Sequence, residues 1–161
     1  MTAVADAGPL IALARAGVFD LLREVWQELV IPEAVHEEVV REGADRPGVR
    51  EVVRSGWIRV SAVADRTQLV RLPTSLHSGE REAIVLSREL ELLLLVDDSA
   101  ARAEARRREI PTSGSLGTLV AAKGIGVIGS VRPVLDRLIA AGFRAHPRLY
   151  EQVLRRAGEW P

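Results

Sequence analysis

Short apolar runs alternate along the chain with longer stretches of helical period. Thr2–Ala5 runs into Asp6 and then Ala7-Gly8-Pro9-Leu10, and Leu92–Val96 runs into Asp97-Asp98. Runs of this length, ended by Gly-Pro or by helix-like sequence, read as buried strands. The first, at about Thr2–Asp6, leads through Pro9 into a short helix over Pro9–Ala16, stopped by Gly17. Val18, Leu21, Leu22 and Val25 then carry a helical period. Leu29-Val30-Ile31 predicts a second strand. Pro32 opens a helix to about Glu42 that ends at Gly43. Pro47–Ser55 predicts another helix, closed by Gly56, and Trp57–Val60 a strand. The stretch from Ser61 to His77, with Pro73 and many polar residues, fits neither period. Ser78 predicts an N-cap for a helix over Gly79–Leu90, and Glu80 and Glu82 suit its positive end. After the Leu92–Val96 strand, Asp98-Ser99 caps an Ala-rich helix to about Glu109. Ile110-Pro111-Thr112 is a short last strand, and helical stretches near Leu116–Lys123, Val131–Ala141 and Pro147–Arg156 complete the pattern.

Strands alternating with helices predict an α/β fold: a mostly parallel central sheet of four to five strands, with helices on both faces. The length suits one domain over residues 1–161, with the last three helices packed on it. In such sheets the carboxyl ends of the strands line the ligand crevice. Aspartates ending two distant runs can therefore meet and share a divalent cation. The chain is 47% hydrophobic and 27% charged, enough for an ordinary core. No run approaches the ~20 apolar residues of a membrane span. Asp6 and Gly8-Pro9 interrupt the place where a secretory signal keeps its apolar core. Without cysteine there are no disulfides or thiolate metal sites, and a cytoplasmic setting is expected. Twenty-two basic and 22 acidic residues cancel, which argues against indiscriminate nucleic-acid binding but permits a local basic face. At 4% aromatic residues, an extended base-stacking platform is not expected.

The carboxylates have competing readings. Asp6 is either a metal ligand or a turn residue bonding local N–H groups. Adjacent Asp97 and Asp98 repel unless a cation or arginine compensates them, and Arg102 is one helical turn away; Asp98 also suits an N-cap. Val35 and Val39 mark the buried stripe of their helix. Glu37 falls nearly opposite that stripe, and Glu38 on its flank, where it can face a crevice; Glu37 and His36 are expected in solvent. Glu80 and Glu82 both flank the face of Ala83, Leu86 and Leu90, so helical phase does not choose between them, and both also suit a helix N-terminus. His36, His77 and His146 lack zinc-ligand spacing. Gly114-Ser115-Leu116-Gly117 lacks the Lys-Ser/Thr ending of a phosphate loop, no Gly-x-Ser-x-Gly elbow occurs, and Trp26, Trp57 and Trp160 read as packing or surface residues.

Four stretches together resemble the PIN domain family of metal-dependent nucleases: Val4–Leu13, Ile31–Val39, Ser78–Ile84 and Leu95–Arg102. The order and separation of these stretches carry the resemblance, which spans nearly the whole chain. It is closest to a compact prokaryotic branch related to the toxin ribonucleases of toxin–antitoxin pairs. The resemblance places the family's first acidic position on Asp6 and its second on Glu38. The third falls within Gly79-Glu80-Arg81-Glu82, and the fourth on Asp97 or Asp98. It implies a Mg²⁺- or Mn²⁺-dependent ribonuclease cutting single-stranded RNA. In that scheme Asp6, Asp97 and Glu80 or Glu82 hold one ion, and Glu38 and Asp98 complete its shell or support a second. Asp6, Glu38, Glu82 and Asp97 are the expected catalytic residues. Arg102, Arg106, Arg107 and Lys123 are candidate phosphate contacts, although an arginine run also reads as a solvated helical face. Thr112, Ser113 and Ser115 can bring hydroxyls to the same edge. A homodimer and a neutralising antitoxin are also implied. The family usually has a hydroxyl residue after the first aspartate and one residue on, where this chain has Ala7 and Gly8. That departure favours the competing reading, a lapsed domain that binds RNA or protein. A phospho-acceptor receiver ranks third, because Lys123 lies inside a helical stretch rather than at a strand end.

Overall fold

Five short strands, β1 (Thr2–Ala5), β2 (Glu28–Pro32), β3 (Ile58–Ser61), β4 (Leu93–Leu95) and β5 (Thr112–Ser113), form one sheet in the computed structural model. Residues 1–42 and 48–161 are described; the expected helix stop at Gly43 and helix start at Pro47 lie outside them. All four pairings are parallel and the order is β3-β2-β1-β4-β5, so the first strand of the chain is the central one. Parallel neighbours need crossovers, which helices supply. Helices α1 (Ala7–Arg15) and α2 (Asp20–Trp26) join β1 to β2, and α3 (Glu33–Glu42) and α4 (Val49–Arg54) join β2 to β3. Helix α5 (Ser78–Leu90) leads to β4 and α6 (Ser99–Arg107) to β5. Helices α7 (Ser115–Gly124), α8 (Arg132–Ala140) and α9 (Pro147–Arg156) follow.

Side chains alternate across a strand, and here both faces are covered, so neighbouring strand residues enter opposite cores. Ala3, Ala5, Leu29, Ile31 and Leu95 pack with Leu10, Leu22, Leu119 and Leu135 on one face. Val4, Val30, Leu94 and Val96 pack with Ile84, Leu86, Ala101 and Ala105 on the other. At roughly 1.5–3 kcal/mol for each large side chain buried, this double layer fixes the register of every strand and therefore the level at which each strand ends.

Three local features differ from the sequence expectation. Pro32 is the last residue of β2, paired with Ser61, rather than the first of a helix; the end of a strand tolerates its missing N–H, and α3 starts at Glu33. His77, not Ser78, is the extended N-cap of α5, and its backbone N–H donates to Glu80 Oε2 at 2.9 Å. The unassigned stretch from Ser61 to His77 contains a 3₁₀ helix over Arg66–Arg71. Asp65 caps it by accepting from Thr67 N at 3.1 Å, and Glu89 accepts from Ala64 N and Asp65 N at 2.9 and 2.8 Å. Among the described residues no helix is long and apolar enough to cross a membrane.

The C-terminal helices are tied to α2 by Trp26 Nε1 donating to Thr118 Oγ1 at 3.1 Å, and to one another through Glu159. The Glu159 carboxylate accepts from Val131 N, Arg132 N, Ser130 Oγ and Lys123 Nζ at 2.6–2.9 Å. Burial alone would raise its pKa, but these donors outweigh burial and hold it at about 2 against an ordinary 4.5. A lowered carboxylate pKa contributes stability above the unfolded value and loses it as pH falls towards the folded one. Glu159→Gln is therefore expected to lower the melting temperature by about 5 °C at pH 7. The difference from wild type should shrink in thermal unfolding scans taken from pH 4.5 downward; a constant difference would contradict the charge-based clamp.

Candidate metal centre

Asp6 follows β1 directly, and its backbone N–H still donates to Leu95 O at 2.9 Å, so its position is set by the sheet. It then takes the extended N-cap conformation of α1, but its carboxylate makes no capping hydrogen bond. The side chain is buried, with 6% exposure. Burial pushes its pKa up from 3.8 to about 7; the Ala7 N–H offsets part of the rise, and the charges of Glu80, Glu38 and Asp97 add to it. Among the described residues, the charges that act on it come from three carboxylates and from no cation.

Asp97 lies two residues beyond the neighbouring strand, β4. Val96 N donates to Ser113 O at 2.8 Å, carrying the β4–β5 pairing to the residue before it. Ser115, the first residue of α7, grips both of its oxygens: Ser115 N donates to Oδ1 at 2.8 Å and Ser115 Oγ to Oδ2 at 2.6 Å. Burial raises the Asp97 pKa, while the two Ser115 bonds and Arg102 lower it. Gly114 makes this approach possible, since a Cβ there would stand 2.5 Å from Asp97 Oδ1 and 2.9 Å from Val96 O. Gly79 does the same for the other acids: its Cβ would lie 3.1 Å from Glu38 Oε2 and 3.6 Å from Asp6 Oδ1. Glu38 and Asp97 line one cleft of about 390 Å³ beside Gly8.

Strands β1 and β4 and helices α3 and α5 thus bring Asp97, Glu38 and Glu80 within electrostatic range of Asp6. Other expected ligands stand elsewhere. Asp98 is exposed and its Oδ2 caps α6 by accepting from Ala101 N at 2.8 Å. Glu82 is buried but faces Arg66 at 3.7 Å and the start of α3. Burial raises its pKa most, Arg66 and the Ala34 N–H lower it, and Glu33 and Glu37 raise it further. Two positions along the helix therefore point Glu80 and Glu82 to different neighbours. Glu80 still spends Oε2 on the His77 N–H.

The expected phosphate contacts divide in the same way. Arg102, Arg106, Thr112 and Ser113 line a cleft of about 300 Å³ against Asp97. Arg102 also donates to Val96 O at 3.0 Å. Ser115 does not reach that cleft, because it is fully buried beneath Asp97. Arg107 is bound to Glu104 at 2.6 Å. Lys123 donates to Ala157 O at 2.6 Å and Glu159 Oε1 at 2.9 Å, so it serves the C-terminal clamp. Arg15, Phe143, Arg144 and Arg156 line the two clefts without a local sequence signal, because only the packing of α1, α8 and α9 gathers them.

Buried carboxylates with raised pKa values, of which Asp6 has no cation beside it among the described residues, fit a hard divalent ion. Among the described residues no group of three or more Asp, Glu or His side chains is placed to hold a metal ion. A magnesium-like ion, held through one or two carboxylates and otherwise by water, asks for less than such a group.

A family model described as a PIN domain, DUF3368, matches residues 2–159. Among solved structures, a PilT N-terminus domain protein from the hyperthermophilic archaeon Sulfolobus solfataricus P2 is similar in fold. Its TM-score is 0.54 at 16% identity, with 91% of this chain and 98% of that chain covered. No curated protein gives a significant match.

The raised pKa of Asp6 has a consequence for stability. Its penalty is absent below 3.8, grows as pH rises, and is complete near 7. The span corresponds to a few kcal/mol at ~1.4 kcal/mol per pH unit. With chelator present, wild type is expected to lose stability from about pH 4 to pH 7, and Asp6→Asn is expected to melt several degrees higher than wild type at pH 7. Parallel melting curves for the two proteins across this range would show that Asp6 is not held in the environment described.

Proposed function

The chain belongs to the PIN domain family, whose members are generally nucleases, and on that premise we propose that it is a divalent-metal-dependent ribonuclease acting on single-stranded RNA. One observation carries the proposal: Asp6 is buried at the end of the central strand with acids around it and, among the described residues, no cation to neutralise it. Such burial is costly, and a domain that merely bound a partner would gain by replacing the group. Asp6 and Asp97 would hold Mg²⁺ or Mn²⁺, with Glu38 and Glu80 at its margin. When bound, the ion lowers the pKa of a coordinated water, neutralises charge at phosphorus and reverses the local field that would repel RNA. Ser115 holds the Asp97 carboxylate in one orientation. Arg102 and Arg106 face the same cleft and meet phosphate oxygens there. As part of the same proposal the protein is cytoplasmic, forms a homodimer and is neutralised by an antitoxin, on its likeness to the small toxin ribonucleases.

The reading as a lapsed binding module rests on Ala7 and Gly8. No clash enforces the missing hydroxyl, since a Cβ at Gly8 would make ordinary contacts with Asp97 at 3.6–3.8 Å. Ser113 already supplies a hydroxyl on the other side of Asp97.

Purified protein with labelled single-stranded RNA is expected to cleave in Mg²⁺ or Mn²⁺ and to stop on addition of chelator. Asp6→Asn should reduce the rate by ~100-fold or more, and Glu38→Gln by ~10-fold or more, on the scale of removed metal ligands and their supporting groups. Glu37→Gln, on the exposed side of α3, should leave the rate unchanged. Binding without cleavage by wild type would support the lapsed module, and full activity of Asp6→Asn would end the proposed role of that residue.

A further inference from the structure

The two clefts beside the acidic centre share Asp97, Phe143 and Arg144. They therefore adjoin, and the connection between α8 and α9 forms part of the wall they share. That connection is a formed turn. Gly142 has φ +108°, a conformation costly for other residues, and Phe143 N donates back to Leu138 O at 3.0 Å. The turn places Phe143 and Arg144 with Asp97 in both clefts. One cleft carries Arg102, Arg106 and Arg156; the other carries Arg15 with Ile11 and Ala12.

The charge state of these arginines separates them from their neighbours. Arg107 and Arg108 are neutralised by Glu104, and Arg155 by Glu151. Among the described residues no ion pair involves Arg15, Arg106, Arg144 or Arg156. Unneutralised guanidinium groups thus border an acidic floor on both sides. That pattern suits a polyanion passing over a metal centre and does not suit a small substrate held at one end. Clefts of about 300 and 390 Å³ have the dimensions of small-ligand sites. A double helix, whose major groove alone is about 12 Å wide, does not enter them.

We propose that a single RNA strand threads through both clefts beneath the Phe143–Arg144 turn. Arg106 and Arg156 grip phosphates on one side of Asp97 and Arg15 on the other, and Arg144 spans the crossing. This inference rests on the nuclease reading above, but it concerns binding and is tested without catalysis. The Asp6→Asn protein provides the background, and the probe is a fluorescent single-stranded RNA of about a dozen nucleotides. Its anisotropy is followed between roughly 50 and 200 mM salt. Arg15→Gln, Arg144→Gln and Arg156→Gln are each expected to weaken binding severalfold. Each should also reduce the slope of log K against log salt by about 0.7 for every phosphate the arginine neutralises. Arg107→Gln and Arg155→Gln, whose charges are already paired, should change neither. Duplex RNA of the same length should bind at least ~10-fold more weakly, because it cannot enter. Unchanged salt slopes, weakening confined to one side of Asp97, equal binding of duplex, or no binding by the Asp6→Asn background would each overturn the threading. Threaded binding by a wild type that does not cleave would overturn the nuclease reading alone.

Discussion

A carboxylate sealed in the middle of a protein is a standing cost, and the structure is organised around one that has no counter-charge among the described residues. Asp6 sits where it does because β1 is the central strand, hydrogen-bonded on both sides, with cores above and below. It cannot move outward to water without breaking the pairing of its own N–H with Leu95 O. Its acidic neighbours arrive from three other elements, and two of them come close because glycine stands where a side chain would intrude. The fold therefore gathers acids around a buried carboxylate, the environment on which the proposed metal centre would draw.

The other carboxylates show what settled acids look like in the same molecule. Asp65, Glu80, Asp98 and Glu159 each accept from backbone N–H groups at the start of a helical segment, where the local dipole favours negative charge. Asp97 stands between the two classes. Ser115 N–H and hydroxyl hold it as a cap would, yet burial still raises its pKa. It is oriented without being fully neutralised, which suits a ligand that must hold its position when the ion is absent.

Hydrophobic period made the five strands, their parallel order of connection and the ends carrying Asp6 and Asp97 legible, because burial on both faces leaves a plain trace in composition. Helical phase also separated Glu38 from Glu37 in exposure. It could not separate Glu80 from Glu82, since both flank the same buried face and the difference lies in what α3 presents to each. The roles of Ser115 and Lys123 were hidden for a related reason: their partners, Asp97 and Glu159, are distant in sequence and chosen by tertiary packing. Arg15, Arg144 and Arg156 had no local mark at all. The segment after Ser61 resisted reading because side-chain-to-backbone bonds from Asp65 and Glu89, rather than any periodic pattern, hold it.

The central place of β1 also has a temporal meaning. A strand made from the first residues of the chain lies between β2 and β4, and β4 starts only at Leu93. While the chain is being synthesised, one edge of β1 has no neighbour until Leu93–Leu95 have emerged, and Asp97 and its Ser115 anchor come later still. Contacts of such long sequence separation form slowly and late. For the RNA-cutting activity proposed, this order of assembly leaves the centre incomplete until the segment carrying Asp97 and Ser115 has packed beside β1.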